Sequence, residues 1–558
     1  MASTTFVTDV TVIEADWLND ANTNTFSAAN KAAAVLLTPA TGLKIFVDGT
    51  DGGWFKAVVG AAAATYSDNG GSYCGTQFIP TGGDGSSAWV REYVGSINVK
   101  WFGAVGDGST NDTVAIQAAI TATSPGGGVY FQIGTYNISS ELVMSDLGVI
   151  LIGESRYKTT LQQTTTSAKI LNISGSYCGV RGLSFKYSAT PISGGTAIYI
   201  DGSSYPSLND FVILNAYVGI EITNSVAQKI INFEIFDYES IGIFLHEIND
   251  SFISKFIINA GNATRGALGG IRLYNKTEAI IVCDGDILLG VYSMTTGADS
   301  YAQNVRPAYN NFTNVFFDSA TNGTVIDKIV ETEFVGCWFS GGRSGGGISG
   351  ASVSQSDSIK FTNTRFFNCG SHGCSITATA NYTIFNSCSF ESNSVTAGVG
   401  VAHGLAIAAN TDNFTIVACK ASNGLFTGTQ GYGIIVISGS SDNYIITDNQ
   451  LQGNATGGLL DAGTGTNKTI SGNIGYVTRN KGVGAVIIGQ TVKQITHGLA
   501  STPSPEDISI TPYSNPTASG IATYYITTIT STTFEIVTDV AVATVDLDFA
   551  WTASIKGA

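Results

Sequence analysis

The sequence is poor in charge, and poorest in charge of positive sign. Only 12% of the 558 residues are charged while 43% are hydrophobic, which excludes a disordered chain and leaves ample material for a core. The 26 basic residues face 42 acidic ones, a net charge of −16. A nucleic-acid binder needs a basic stripe, and none is present; the acidic balance reads as solubility. No run of 18 uncharged apolar residues occurs, so no transmembrane helix is expected. The opening stretch, MASTTFVTDVTVIEADW, lacks the basic start of a secretory signal, and that disfavours a secreted adhesin. Nucleophile elbows, phosphate-binding glycine loops and His-Glu-x-x-His zinc motifs are all missing. The eight cysteines (74, 178, 283, 337, 369, 374, 388 and 419) show no C-x-x-C pairing. They read as small buried hydrophobes of a protein made in a reducing cytosol, with Cys283, Cys337, Cys388 and Cys419 at inward strand positions. No metal site and no cofactor are expected.

What the chain has is glycine, 67 residues of it, and a repeat. Between Phe334 and Asn454 one phrase recurs five times: FVGCWF, TNTRFF, NSCSFE, VACKAS and TDNQLQ. Phe339, Phe366, Phe390, Ala421 and Leu451 form one column; Cys337, Thr364, Cys388, Cys419 and Asn449 form another two residues earlier. Between them lie Trp338, Arg365, Ser389, Lys420 and Gln450, which the alternation of a strand turns outward. Glycine-led strands at His372, His403 and Tyr432 make a further column. A repeat of this length with no helical segment between its strands predicts an all-β solenoid, a parallel β-helix of about ten to twelve coils. Residues 1–98 read as a small β-rich module, 99–480 as the solenoid and 481–558 as a β-sandwich-like domain. Two interruptions, 259–270 and 288–310, fit no strand column and predict loops on a binding face.

The most specific stretch is 99–138, VKWFGAVGDGSTNDTVAIQAAITATSPGGGVYFQIGTYNI. Gly106 and Gly108 predict a tight turn around Asp107, and Asn111 or Asp112 can cap a helix. That helix, Thr113–Thr121, shows Ala115, Ile116, Ala119 and Ile120 on one face, and Pro125 with three glycines stops it. An amphipathic helix laid across the open end of a solenoid covers its first coil. Gly103, Ala104, Gly106, Asp107, Gly108, Asp112, Thr113, Ala115, Ile116, Ala119, Ile120, Gly127, Gly128, Gly134 and Tyr136 resemble the N-terminal cap of the pectate-lyase-like right-handed β-helix superfamily, as found in bacteriophage tailspikes and capsule depolymerases. Asn111 and Gln132 depart from that pattern, at conformational positions only. The Asn-Thr-Asp, Asp-Asp, Gly-His-Gly and Arg-Ile-Lys signatures of polygalacturonases are absent, so pectin hydrolysis is disfavoured.

A glycosidase needs two carboxyl groups, roughly 5 Å apart to retain configuration or about 6.5–9.5 Å to invert it. Coils stacked at about 4.8 Å offer both spacings. The candidate acids are Asp284 and Asp286 in VCDGD, both read as outward; Asp318 after NVFF; and Glu331 with Glu333 on one strand face. Asp284, Asp286 and Asp318 are favoured because they border the 288–310 insertion, and Asp286→Asn or Asp318→Asn is expected to abolish cleavage without altering melting. Asp237 and Glu239 make another outward pair. Solvated turn carboxylates are the alternative for each. Trp338 suits stacking on a sugar ring, or packing against another subunit; Arg343 suits an acidic sugar; Tyr292 and Arg272 complete the substrate-binding set. A lyase would instead need a base and a cation that neutralises a uronate, and His246, Arg265, Arg272 and Tyr274 could supply them. His372 and His403 read as turn residues.

The resemblance implies a phage tailspike that binds and hydrolyses a bacterial capsule, exopolysaccharide or O-antigen. A polysaccharide lyase and a non-catalytic receptor-binding fibre are the alternatives. It further implies a homotrimer in the virion tail, made in the host cytoplasm. Residues 1–98 would attach to the phage tail and 481–558 would serve trimerisation or glycan contact, with no nucleic-acid partner and no membrane insertion.

Overall fold

Strand alternation, interrupted at fixed points by left-handed residues, builds the architecture. The computed structural model describes residues 25–60, 65–83, 86–123, 125–191, 193–302, 304–341, 349–377, 379–424 and 429–555. It divides into two units, residues 1–220 with 225–233 and residues 221–224 with 234–558. Together they contain about 14 turns of parallel β-solenoid, more than the ten to twelve read from the repeat. Among the described residues no helix is long and apolar enough to cross a membrane.

In the first unit, strands Thr25–Ala28, Lys44–Val47, Gly53–Val59, Ser87–Arg91 and Gln77–Phe78 form a five-stranded sheet. Ile45, Val47, Phe55, Phe78 and Trp89 fill its core. The capping helix spans Thr113–Ala122 and buries Ile116, Ala119 and Ile120. Of Asn111 and Asp112, the two residues expected to cap it, Asn111 accepts the Thr113 amide through Oδ1 at 3.1 Å, while Asp112 holds the N-cap position with no side-chain cap bond. Its own carboxylate accepts the Val105 and Gly106 amides at 2.7 and 3.0 Å and so closes the preceding turn. Gly106 is needed there: its φ is +71°, and a Cβ would fall 2.8 Å from the Tyr136 ring. Coils follow directly, with Gly128–Phe131 paired in parallel to Ile150–Gly153 and Gly134–Ile138 to Thr159–Gln163.

In the second unit each coil contributes one strand to a narrow sheet and a two-legged strand to a bent sheet. Gly269–Tyr274, Met294–Gly297 and Thr324–Asp327 are successive narrow-sheet strands; Ile281–Leu288 and Asn311–Ala320 are successive bent ones. Met294–Gly297 lies inside the 288–310 stretch, which therefore is not one long insertion but a coil strand followed by a corner loop. Arg306, 1% exposed, pins that loop by an ion pair of 2.8 Å to Asp357 and by stacking on Tyr301. The legs of the bent sheet meet at a left-handed residue on every coil: Lys255, Asp284, Asn314, Gly336, Asn363, Ser387, Ala418 and Asp448 all have φ between +50° and +63°.

The repeat columns are the core. Phe312, Phe334, Phe361 and Phe385 stack at 4.9, 5.1 and 4.9 Å, and Phe317, Phe339, Phe366 and Phe390 at 4.7, 5.1 and 4.8 Å. Each stacked pair adds roughly 0.5–1.5 kcal/mol beyond its buried area. The eight cysteines are free. Cys337, Cys388 and Cys419 are buried, but as donors rather than plain hydrophobes: each Sγ lies 3.2–3.6 Å from carbonyls of its own coil and the one before. Cys283 is half-buried and faces outward, because Val282 and Gly285 take the inward positions beside the corner. Beyond the coils, Arg479–Val486, Leu547–Ser554 and Ile508–Pro512 form one antiparallel sheet and Val492–Thr496, Thr533–Thr538 and Tyr524–Thr527 another. Phe534, Leu547, Phe549 and Trp551 fill the core of this domain.

Candidate functional site

Register separates the five candidate acids. Both Asp284 and Glu331 are left-handed corners, with φ of +55° and +43°: Asp284 is the exposed bend within Ile281–Leu288, and Glu331 precedes the strand Glu333–Val335. Asp284 accepts the Asn314 amide on the next coil at 3.3 Å, so its side chain ties two corners together. Glu333 opens the first leg of its coil, paired with Asn311 and Lys360, and does not share a strand face with Glu331. Asp286 and Asp318 lie on the second leg. Asp286 pairs with Phe316 and Leu288 with Asp318, so the two carboxylates sit on adjacent coils offset by two residues. A diagonal of that kind spans about 7–8 Å between backbones. Both are half-buried, and burial together with the charge of Asp318 pushes the Asp286 carboxyl up.

The row through Asp286 continues to Phe316, Trp338 and Arg365. Trp338 does turn outward, but its ring is enclosed edge-on by Phe316 at 5.4 Å and Phe367 at 5.6 Å, with the Arg365 guanidinium 5.5 Å away. The exposed aromatic face on this row belongs to Phe316. Arg365 holds Glu391, which also takes Lys420. Arg343 lies outside the described residues.

A second constellation forms on the narrow sheet. Phe244 pairs with Arg272 and His246 with Tyr274 across neighbouring coils, all four turned outward. The Arg272 guanidinium stacks 5.5 Å from the Phe244 ring and 4.9 Å from the Tyr274 ring. Arg265, Arg306 and Arg365 each hold a carboxylate; among the described residues Arg272 has no hydrogen bond or ion pair. Burial lowers its pKa from the ordinary guanidinium value. Tyr274 donates its hydroxyl to Asp299, and that bond holds the phenol up and Asp299 down. The Asn275 side chain is oriented by the Asp299 amide, which it accepts at 3.0 Å, so its own NH₂ group donates to Asp299 at 3.0 Å and faces His246 Nε2 at 3.2 Å. The Glu247 carboxylate stands 3.7 Å from the same nitrogen.

Of the four residues weighed for a lyase, three therefore meet. Arg265 does not join them: Asp237 and Glu239 engage it at 2.9 Å each. Tyr292 stands in the corner before Met294 and contributes its carbonyl to the Gly270 amide. Phe244, Asn275 and Asp299 were missed. Aligning Gly242 of GIFLH with Gly270 of GIRLYN would have placed Phe244 on Arg272 and His246 on Tyr274.

A family profile described as rhamnogalacturonase A/epimerase, pectate lyase-like, matches residues 96–269, and one described as right handed beta helix region matches 290–474. Mannuronan C5-epimerase AlgE3 and alginate lyase 7 of Azotobacter vinelandii are 48% and 50% identical over 62 residues, 11% of this chain. The match spans only 3% and 7% of the lengths of those two relatives. Tailspike protein 3 of bacteriophage CBA120 superposes with a TM-score of 0.52 at 15% identity, covering 66% of this chain and 59% of its own. The pre-mature gene product 12 of bacteriophage phi29 gives 0.52 at 12%, covering 67% and 56%. Cap, coils and profiles agree on the fold: the chain carries a parallel β-solenoid, similar over residues 96–269 to a pectate lyase-like profile and over 290–474 to a right handed beta helix profile.

Proposed function

We propose that the chain is a phage tailspike that depolymerises an acidic polysaccharide of the bacterial surface, and that it does so by β-elimination at the narrow-sheet cluster. The carrying observation is Arg272, a half-buried cation with no anion of its own among the described residues. Such a group is costly unless something negative completes it, and its planar fork matches a carboxylate. With a uronate carboxylate neutralised there, the proton on sugar C5 becomes acidic. His246 takes that proton as general base, Nε2 exchanging its contact with the Asn275 amide for the sugar proton, and the Tyr274 hydroxyl, leaving Asp299, gives its own to the oxygen leaving C4. The C4–O bond breaks and a C4–C5 double bond forms; solvent then carries the proton from the imidazolium back to the phenolate, restoring both groups. The tailspike reading draws on the cap resemblance and on the fold shared with tailspike protein 3. It carries a homotrimer in the virion tail, attached through residues 1–98.

Hydrolysis is the second reading, favoured by the raised Asp286 beside Asp318 and the exposed Phe316. There Asp286 would protonate the leaving oxygen while Asp318 activates water. Purified chain is incubated with host capsule, and viscosity and reducing ends are followed for Tyr274→Phe, His246→Gln, Asp286→Asn and Asp318→Asn. Loss of cleavage in the first two with activity kept in the last two is expected. The reverse pattern would transfer the chemistry to the bent sheet, and unchanged viscosity with unaltered chain would leave only a binding fibre.

A further inference from the structure

A second left-handed corner stands two residues before the strands of the bent sheet. Gly148, Ala227, Asp250, Ala279, Ser358 and Asn413 fill it on their coils, with φ between +54° and +72°. A short side chain therefore satisfies the fold there. Two successive coils carry Tyr177 and Tyr205 instead, at φ of +58° and +59°; Tyr309 and Tyr382 hold the corner singly on other coils. A left-handed backbone crowds the Cβ of an L-residue, and tyrosine lacks the short polar group with which Asn or Asp offsets that cost. Among the described residues neither Tyr177 nor Tyr205 uses its hydroxyl in a hydrogen bond. Their rings stack on each other at 5.0 Å with planes 11° apart, yet stay 57% and 52% exposed.

Register keeps the space beside the pair open. Ile150 pairs with Gly179 and Gly179 with Ser207, so Gly148 comes before Tyr177 in the corner row and Tyr205 after it. A Cβ on Gly148 would meet the Gly126 backbone but no atom of Tyr177 within 4 Å. Ser204 bridges to Val226, so the next corner residue beyond Tyr205 is Ala227, a single methyl. Ser176, Ser204 and Ser207 flank the rings with hydroxyls, and the Ser204 amide donates to the Ser176 hydroxyl at 3.2 Å. We propose that the Tyr177–Tyr205 pair is a glycan-binding site separate from the catalytic cluster, stacking on the C–H face of an uncharged sugar residue of the polymer. Aromatic faces rimmed by hydroxyls match a sugar ring, which is apolar on its face and polar at its edge. A protein partner fits less well: two half-exposed rings offer on the order of 200 Å², against roughly 800 Å² per side in a stable protein contact. The inference rests on the reading of the chain as a polysaccharide-binding protein and does not depend on the chemistry at Arg272.

Full-length chain is run by affinity electrophoresis through gels containing host capsular polysaccharide, as wild type, as Tyr177→Asn/Tyr205→Asn and as Tyr177→Phe/Tyr205→Phe. Melting, sedimentation and cleavage of the same polysaccharide are followed in parallel. The Asn pair is expected to bind about tenfold more weakly, for the loss of two stacking rings, and the Phe pair to stay close to wild type. Asn adopts the left-handed backbone more readily than tyrosine, so the Asn pair should melt no lower than wild type. Equal retardation of wild type and the Asn pair, with cleavage intact, would overturn this inference alone. A lower melting point with unchanged retardation would make the tyrosines structural, and a changed sedimentation coefficient would give them to another subunit; either overturns it. A wild type that neither cleaves the polysaccharide nor is retarded by it would overturn the polysaccharide reading as well.

Discussion

Replacing Arg272 with Met separates catalysis from stability. In the proposed complex the guanidinium makes two charge-assisted hydrogen bonds to a uronate, worth about 1.5–3 kcal/mol each. Losing both costs on the order of 3–6 kcal/mol of transition-state binding, so kcat/KM should fall by roughly two to four orders of magnitude. Arg272→Lys keeps the charge but not the fork and should fall between wild type and Arg272→Met. Stability should behave differently. The folded chain loses only the stacking on Phe244 and Tyr274, at 5.5 and 4.9 Å, about 0.5–2 kcal/mol. It is also relieved of an unpaired half-buried charge, which offsets that loss. Net stability should therefore move by less than about 1 kcal/mol, measured by urea unfolding beside initial rates on host polysaccharide. A variant with wild-type rates and clearly lower stability would refute the reasoning, because Arg272 would then be a structural cation.

Three further outcomes follow from the coils. Phe366→Ala removes a ring held between Phe339 at 5.1 Å and Phe390 at 4.8 Å; it should cost about 3–5 kcal/mol of unfolding free energy. His372 stacks on His403, its Nδ1 accepts the His403 amide, and burial lowers its pKa from 6.5 to about 4. The unfolded chain then binds the extra proton first, so stability should be intact above pH 6.5 and decline as pH falls toward 4, by roughly 3 kcal/mol in all; His372→Gln should flatten that slope in melting curves. Asn275→Leu should uncouple His246 from Asp299 and lower kcat more than it raises KM, since Asn275 contacts the base and the carboxylate that holds Tyr274 rather than the polymer.

The solenoid was legible because its inward columns repeat: Phe339, Phe366 and Phe390 align by eye, and the structure stacks them. The corners were not legible. A left-handed residue on a strand run shifts which neighbours face inward, and Lys255, Ala418 or Ser387 does this as readily as glycine. That is why Cys283 was turned the wrong way and why Glu331 was set on one strand face with Glu333, whereas Asp284 does face outward, at the bend of its strand. Asp318, before which no corner was misjudged, stands where its column put it. The narrow-sheet cluster needed contacts between residues about one coil apart. His246, Arg272 and Tyr274 could be nominated by chemistry alone, whereas Asp299 sits in a stretch that seemed to belong to no coil.

The most direct test of the central claim is the ultraviolet absorbance of the product. β-Elimination leaves a C4–C5 double bond conjugated to the uronate carboxylate, so digestion of the host polysaccharide should generate that chromophore in step with new reducing ends. New reducing ends without the chromophore would contradict the account and assign the cleavage to hydrolysis, with Asp286 and Asp318 as the pair to pursue.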